Sequence, residues 1–384
     1  MKTKNTILCS TLALILCSTV NALSFDTSIS KDLLKAEASA ISNALETKVA
    51  SESFKKPSEL AMQLIQAVKN DDEDTFDAIL EEIDQQDIND QDSLGYTAFM
   101  WAARLGKKNF ADKLFWYSDL NVQSKGEGLT ALMLAIKNER REIIDLILNK
   151  IDNSYDNWVT DSFAVDLNLQ NNNGWNALMY AIDMADKKTV KHMLSMYEYG
   201  AGYRVTLNPK ELKKSFGDGT SFLIMAMKDR SGDIFNMILN AKDSEGNYRT
   251  DLNYVTEYGF TALTMELGKL GQPKEGEYPF VEKILEAKDD NGNYRMTNLN
   301  GTKFNENPLF NAIFAGHFDY VKMLVEAKDI NGEYRINLNT QISENSQLGY
   351  YHKGDDALNI AMKTNKGEIA AYLAQVMTER KNKQ

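Results

Sequence analysis

A dipeptide of the Leu-Asn type, set behind Asp or a close substitute, returns along the chain at Ile88-Asn89, Leu120-Asn121, Leu167-Asn168, Leu207-Asn208, Leu252-Asn253, Leu299-Asn300 and Leu338-Asn339. A mark recurring at long intervals means one supersecondary unit built many times, each with an apolar face that only its neighbours can cover. The 384 residues are long for one compact core, and a stack removes that difficulty because it grows by addition.

The unit is most complete at Asp92-Ser93-Leu94-Gly95-Tyr96-Thr97-Ala98-Phe99-Met100-Trp101-Ala102-Ala103, followed by Arg104-Leu105-Gly106 and a stretch carrying Phe110, Leu114 and Phe115. Gly95 permits a tight turn, and Thr97 is placed to cap a helix by accepting from its exposed N–H groups, a contribution of about 1 kcal/mol. Two short antiparallel helices follow. The frame returns at Gly128-Leu129-Thr130-Ala131-Leu132, Gly174-Trp175-Asn176-Ala177-Leu178, Gly219-Thr220-Ser221-Phe222-Leu223, Gly259-Phe260-Thr261-Ala262-Leu263, Asn307-Pro308-Leu309 and Asp356-Ala357-Leu358. An earlier helix pair is expected at Ser58 to Lys69 and Thr75 to Glu82, turning at Asn70-Asp71-Asp72.

These units resemble the ankyrin-repeat family, whose consensus reads Asp-x-x-Gly-x-Thr-Pro-Leu-His-x-Ala-Ala, then Gly-His, an apolar helix and a closing Asp-Val-Asn. The resemblance implies an all-α solenoid of about eight helix-turn-helix repeats with β-hairpin loops over residues 58–375. The histidine of that motif is replaced by Met100, Met133, Met179, Ile224, Thr264, Phe310 and Asn359, so its hydrogen bonds are replaced or lost. The Gly-His pair survives only at Gly316-His317.

Repeat length departs as well. The mark advances 32 residues from Asn89 to Asn121 and then 39 to 47 at every later step. The added length is itself repeated: Ala241-Lys242-Asp243-Ser244-Glu245-Gly246-Asn247-Tyr248-Arg249, Ala287-Lys288-Asp289-Asp290-Asn291-Gly292-Asn293-Tyr294-Arg295 and Ala327-Lys328-Asp329-Ile330-Asn331-Gly332-Glu333-Tyr334-Arg335, with a looser copy at Gly202-Tyr203-Arg204. Asp-x-Asn-Gly before Tyr predicts a tight turn between two extended arms, hence β-hairpin insertions. Calcium is the competing reading of these acidic loops. A helix-loop-helix calcium site, however, needs Gly sixth and Glu twelfth, whereas Gly292 is fourth with Asp289 counted as first, and no Glu stands at the twelfth place.

At the start, Lys2 and Lys4 precede a mostly apolar run from Ile7 to Val20, with Val20-Asn21-Ala22 as a cleavage point. Roughly 14 apolar residues are too few to span a membrane, which needs about 20, so residues 1–22 read as a signal peptide. A lipid anchor on Cys17 is the alternative, disfavoured by Leu16 before it. Cleavage would leave neither Cys9 nor Cys17, which excludes disulfides and thiolate chemistry. It also moves the formal charge from −12 to about −14, against nucleic acid and anionic membrane surfaces. The expected location is exported, periplasmic or secreted. Residues 23–56 are expected to form a helical cap or linker and 376–384 a polar tail.

Catalysis finds no foothold: His192, His317 and His352 are far apart, and no nucleophile elbow or phosphate loop is present. No catalytic, cofactor or metal residue is assigned. Recognition of another protein remains, through the groove that hairpin tips and first helices line in ankyrin-like stacks. The position between Gly and the capping residue holds Tyr96, Leu129, Trp175, Thr220 and Phe260, with Leu94 and Tyr258 beside it and Arg104 on the rim. Trp101 and Tyr180 are assigned to the core. Tyr248-Arg249, Tyr294-Arg295 and Tyr334-Arg335 are either a second ladder for a partner or rings packed on a helix with arginines paired to the acidic surface. The expected function is a monomeric, non-catalytic protein-binding scaffold, with a toxin- or enzyme-neutralising inhibitor and a calcium-dependent module as alternatives.

Overall fold

A computed structural model describes residues 57–152, 165–198, 202–203, 205–208, 221–227, 232–269, 280–301, 303, 306–345 and 350–382. The expected signal segment, the cap at 23–56, and Arg204 and Thr220 lie outside the described residues.

Eight helix pairs are present among the described residues, all within the compact unit Glu59–Gln384. They are α1 (Glu59–Asn70) with α2 (Glu73–Glu82), α3 (Ala98–Leu105) with α4 (Lys108–Leu114), α5 (Ala131–Lys137) with α6 (Arg141–Asp152), and α7 (Ala177–Asp183) with α8 (Lys187–Ser195). After the two-residue strands β1 (Tyr197–Glu198) and β2 (Gly202–Tyr203) come α9 (Phe222–Ala226) with α10 (Asp233–Leu239) and α11 (Ala262–Leu267) with α12 (Phe280–Glu286). Last are α13 (Pro308–Ala315) with α14 (Phe318–Glu326) and α15 (Ala357–Lys363) with α16 (Gly367–Lys381). Each first helix packs on its own second helix and on the first helices of its neighbours. Among the described residues the helix pairs thus follow one another in a row, each packed on its neighbours.

Short helices of this kind need their ends satisfied, and the sequence supplies the means. Thr97, Thr130, Asn176, Ser221, Thr261, Asn307 and Asp356 each cap a first helix by accepting from the main-chain N–H three residues on. That N–H belongs to the residue standing where the family has histidine. Because the bond uses main chain, the side chain is released: Met100, Met133, Met179 and Phe310 are buried apolar groups, and Thr264 returns a bond to the Thr261 N–H in a capping box. Between the helices of a pair the chain must enter the left-handed region, which Gly106 and Gly316 do freely. Asp71, Glu139, Ala185 and Asn365 take the same conformation with a side chain, at φ 53 to 62°.

The Leu-Asn mark has two separable jobs. Ile88, Leu120, Leu167, Leu207, Leu252, Leu299 and Leu338 are buried. The asparagines tie one repeat to the next: Asn89, Asn121, Asn168, Asn253 and Asn300 accept from the N–H of Asp119 (2.8 Å), Asp166 (2.8 Å), Thr206 (2.9 Å), Thr297 (2.8 Å) and Asn337 (2.7 Å).

Each later insert closes with a single antiparallel bridge, Lys242 to Tyr248, Lys288 to Tyr294 and Lys328 to Tyr334, so the two arms of the small hairpin expected are reduced to one bridged pair. Its aspartate fixes the turn. Asp243, Asp289 and Asp329 each turn one carboxylate oxygen to two main-chain N–H groups, two and four residues on, at 2.8 to 2.9 Å. These bonds hold the Asp243 and Asp289 carboxyls below the usual carboxylate range against the opposing push of desolvation.

The expected tail from 376 is largely helix. α16 continues to Lys381 because Arg380, near its end, is anchored on the preceding repeat.

Candidate functional site

Tyr96, Trp101 and Arg104 share one strip of surface with Lys69 from the preceding repeat. The Tyr96 and Trp101 rings meet edge to face at 5.2 Å. Arg104 lies over both, 5.6 and 5.2 Å from the ring centres, and Lys69 sits 4.1 Å over Trp101. Beneath them Asp92 organises the turn, accepting from the N–H groups of Leu94 (2.9 Å) and Tyr96 (3.0 Å), from the Trp101 indole (2.8 Å) and from Lys69 (3.2 Å). Burial pushes the Asp92 carboxyl up, but those donors outweigh it and hold it below the usual range. Gly95 is required twice over: its φ is +82°, and a Cβ there would meet the Lys125 main-chain nitrogen of the next repeat at 2.2 Å.

Two repeats further on the arrangement recurs with different chemistry. Trp175 lies against Tyr180 at 5.0 Å, and Asn171 accepts from the N–H groups of Asn173 and Trp175 while donating to the Tyr180 hydroxyl at 2.9 Å. Lys137, on the intervening repeat, feels both Tyr180 and Tyr96, and its hydrogen bond to Glu127 holds its pKa above the ordinary value against desolvation. One strip therefore runs across three successive repeats. A chain of glutamines holds their turns in step: Gln91 donates to Gly95 O and Gln123 O, Gln123 to Gly128 O and Gln170 O, and Gln170 to Gly174 O, at 2.6 to 2.9 Å.

The residues picked from sequence divide in this light. Leu94 and Tyr258 are well exposed, at 54% and 61%, and Tyr96, Trp175, Phe260 and Arg104 are half-buried. Leu129 is not on a wet edge. It is 1% exposed, because five residues on its helix offers Leu134 rather than a ring, and two aliphatic side chains have no polar end to keep near water. Trp101 and Tyr180 are not core residues either; both are half-buried and complete the strip. Their signal was present: an edge ring followed five residues later by a second ring, at Tyr96/Trp101 and Trp175/Tyr180. Phe260 and Tyr258 stand four repeats from Tyr96.

The Tyr-Arg pairs of the inserts serve the stack itself. Each arginine reaches back one repeat and donates to two main-chain carbonyls. Arg249 donates to Leu194 O (2.9 Å) and Val205 O, Arg295 to Leu239 O (2.7 Å) and Thr250 O (3.0 Å), and Arg335 to Leu285 O (2.8 Å) and Met296 O (2.6 Å). On the way, Arg295 covers Tyr248 at 3.8 Å and Arg335 covers Tyr294 at 4.0 Å. Each of these tyrosines also packs against its own insert's lysine, Lys242 and Lys288, at 4.6 Å. Neither reading from sequence foresaw this, since the arginines bind carbonyls and not the acidic surface. Burial pulls the Arg295 and Arg335 guanidinium pKa values down from their ordinary value. Tyr334 remains the most open of the three rings, at 41% exposure.

His317 is buried and its Nε2 lies 2.6 Å from Lys269 O, a link to the preceding repeat. A family model described as ankyrin repeats (3 copies) matches residues 64–161 and 118–206. Residues 64–206 are ankyrin repeats. Ankyrin repeats are in general scaffolds for contacts between proteins. The matched segments stop short of the three Tyr-Arg inserts, where the same helix pairs continue at longer spacing. No helix among the described residues is long and apolar enough to cross a membrane.

Proposed function

We propose that this protein is a non-catalytic, exported scaffold that binds another protein across the strip formed by Leu94, Tyr96, Trp101, Arg104, Trp175 and Tyr180. The observation that carries the reading is Arg104. Its guanidinium stacks over two rings at the surface and has no carboxylate within ion-pair distance among the described residues. Aromatic anchors and arginine are the side chains that dominate binding energy at protein interfaces. Lys69 and Lys137 already hold Asp92 and Glu127, so Arg104 is the charge left to meet a partner's carboxylate. Export is inferred from residues 1–22 alone.

The test is a photo-cross-linker at position 104, recovery of the linked partner by mass spectrometry, and reconstitution with purified partner. The variant Y96A/R104A/W175A is expected to weaken that complex by at least a hundredfold while keeping its helical signal. Unchanged affinity would place the binding surface elsewhere.

A further inference from the structure

We propose that the second and third Tyr-Arg inserts form a docking notch at Lys288, Gly292 and Ile330, which takes an acidic side chain of a partner protein with an apolar residue beside it. The notch belongs to repeats other than those of the Arg104 strip, beyond the matched ankyrin segments. The preceding pair of inserts defines what fills such a place. All three inserts share one frame, with the same bridge between lysine and tyrosine and the same aspartate-fixed turn. Between the first and second inserts the gap is filled by the Asp290 carboxylate. Its Oδ1 accepts from Lys242 Nζ at 2.5 Å, and its Oδ2 stands 4.0 Å from the point that a Cβ on Gly246 would occupy.

Between the second and third inserts that carboxylate is missing. Ile330 stands in the place of Asp290 and is 60% exposed, and an aliphatic side chain cannot accept from an ammonium. Apart from its chain neighbours, no atom lies within 4 Å of the corresponding point on Gly292. Lys288, the counterpart of Lys242, is exposed over the Tyr294 ring and has no carboxylate within ion-pair distance among the described residues.

The aspartates of these two inserts are engaged elsewhere. Asp289 and Asp329 each turn an oxygen to the N–H groups of their own turn, and Asp290 holds Lys242. A single exposed isoleucine means little on a protein surface. Here it replaces the carboxylate of a contact made one insert earlier, and a cation and open space are left beside it.

The occupant follows from the charge and from the isoleucine. One lysine, with Glu286 and Glu333 exposed on the same helix end and insert, suits one carboxylate and repels a polyanion such as nucleic acid or an anionic membrane. Ile330 adds an apolar wall for a neighbour of that carboxylate. A segment of another protein with Asp or Glu next to Leu, Ile or Val supplies both.

The probe is the peptide acetyl-Leu-Asp-Leu-amide, titrated into the isotope-labelled full chain and followed by nuclear magnetic resonance at the Gly292 amide. A saturable shift at millimolar peptide is expected. Asn in place of the peptide's Asp, or Lys288→Ala in the chain, is expected to weaken binding about fivefold, the scale of one exposed ion pair. Ile330→Asp returns a carboxylate from within and is expected to abolish the shift. It should melt no lower than the parent, because Asp290 already occupies the equivalent place. The variant Y96A/R104A/W175A is expected to bind the peptide as the parent does, and loss of binding there would assign the peptide to the strip and overturn the notch. No saturable shift overturns the proposal, as does equal binding of the Asn peptide or equal binding by Lys288→Ala or Ile330→Asp. So does an equal response to acetate alone, which would make the notch a simple anion site. Self-association of the chain that Ile330→Asp abolishes would make a second copy the occupant and overturn it too.

Discussion

Arginine in the inserts shows how one residue's role follows from the groups it can reach. Its planar fork offers several donors in fixed directions, so it can satisfy two carbonyls at once, which an ammonium point charge cannot. Leu285 O closes a helix end and Met296 O an irregular segment, and neither has an intrahelical donor. Arg335→Ala is expected to lower stability by about 3 kcal/mol, through two lost charge-assisted bonds and the exposed carbonyls left behind. Arg335→Lys should recover less than half of that. Urea denaturation followed by circular dichroism measures both, and a loss below about 1 kcal/mol for Arg335→Ala would mean the carbonyls find water instead. The recurrence of Tyr-Arg was legible in the sequence. Its target was not, because carbonyls carry no sequence signature and the partner lies 39 to 56 residues away. The paired rings of the strip were misassigned for a related reason. A Trp in a helix position usually held by Leu reads as core until Asp92 is seen accepting from its indole.

At the scale of the element, caps and turns were the readable part. Ser, Thr, Asn or Asp before an apolar run at fixed spacing placed seven first helices, because helix ends must be satisfied locally. Ends set by tertiary contact were not readable, and α16 is the case in point. Its last turns look like a polar tail, but Tyr372 packs on Phe318 at 5.6 Å and donates to Glu326 at 3.0 Å, while Arg380 grips the repeat before. Burial, then the bond to Glu326, raises the Tyr372 phenol to about 12. An unfolded tyrosine ionises near 10, so the unfolded state gives up its proton first as pH rises. The stabilisation from Tyr372 is complete below pH 10 and is lost between about 10 and 12. The stability difference between the parent and Tyr372→Phe, from denaturation at stepped pH, should be constant up to pH 10 and shrink above it. A difference independent of pH across that window would show that the phenol is not held by Glu326.

In the molecule as a whole, stability is close to a sum over neighbours, since the described helix pairs pack chiefly on those adjacent to them. The means of joining them changes along the chain. Repeats two to four are held by the glutamines 91, 123 and 170, and the later ones by arginines 249, 295, 335 and 380. The arginine joins begin with the Ala-Lys-Asp inserts, after the Leu-Asn interval has already lengthened between Asn121 and Asn168, where Gln123 still reaches Gln170 O. Loss of one arginine should then be felt locally. In Arg295→Ala, the link that donates to Leu239 O and Thr250 O is gone, and the apposed helices α10 and α12 lose stability together. Their amides should exchange with deuterium at least tenfold faster, equivalent to about 1.4 kcal/mol of opening free energy. Amides of α3 and α5, joined by the glutamines and five or more helices away, should keep the parent rate. Equal acceleration in α3 and α5 would mean that the stack opens as one cooperative block, and that the two kinds of join do not divide it.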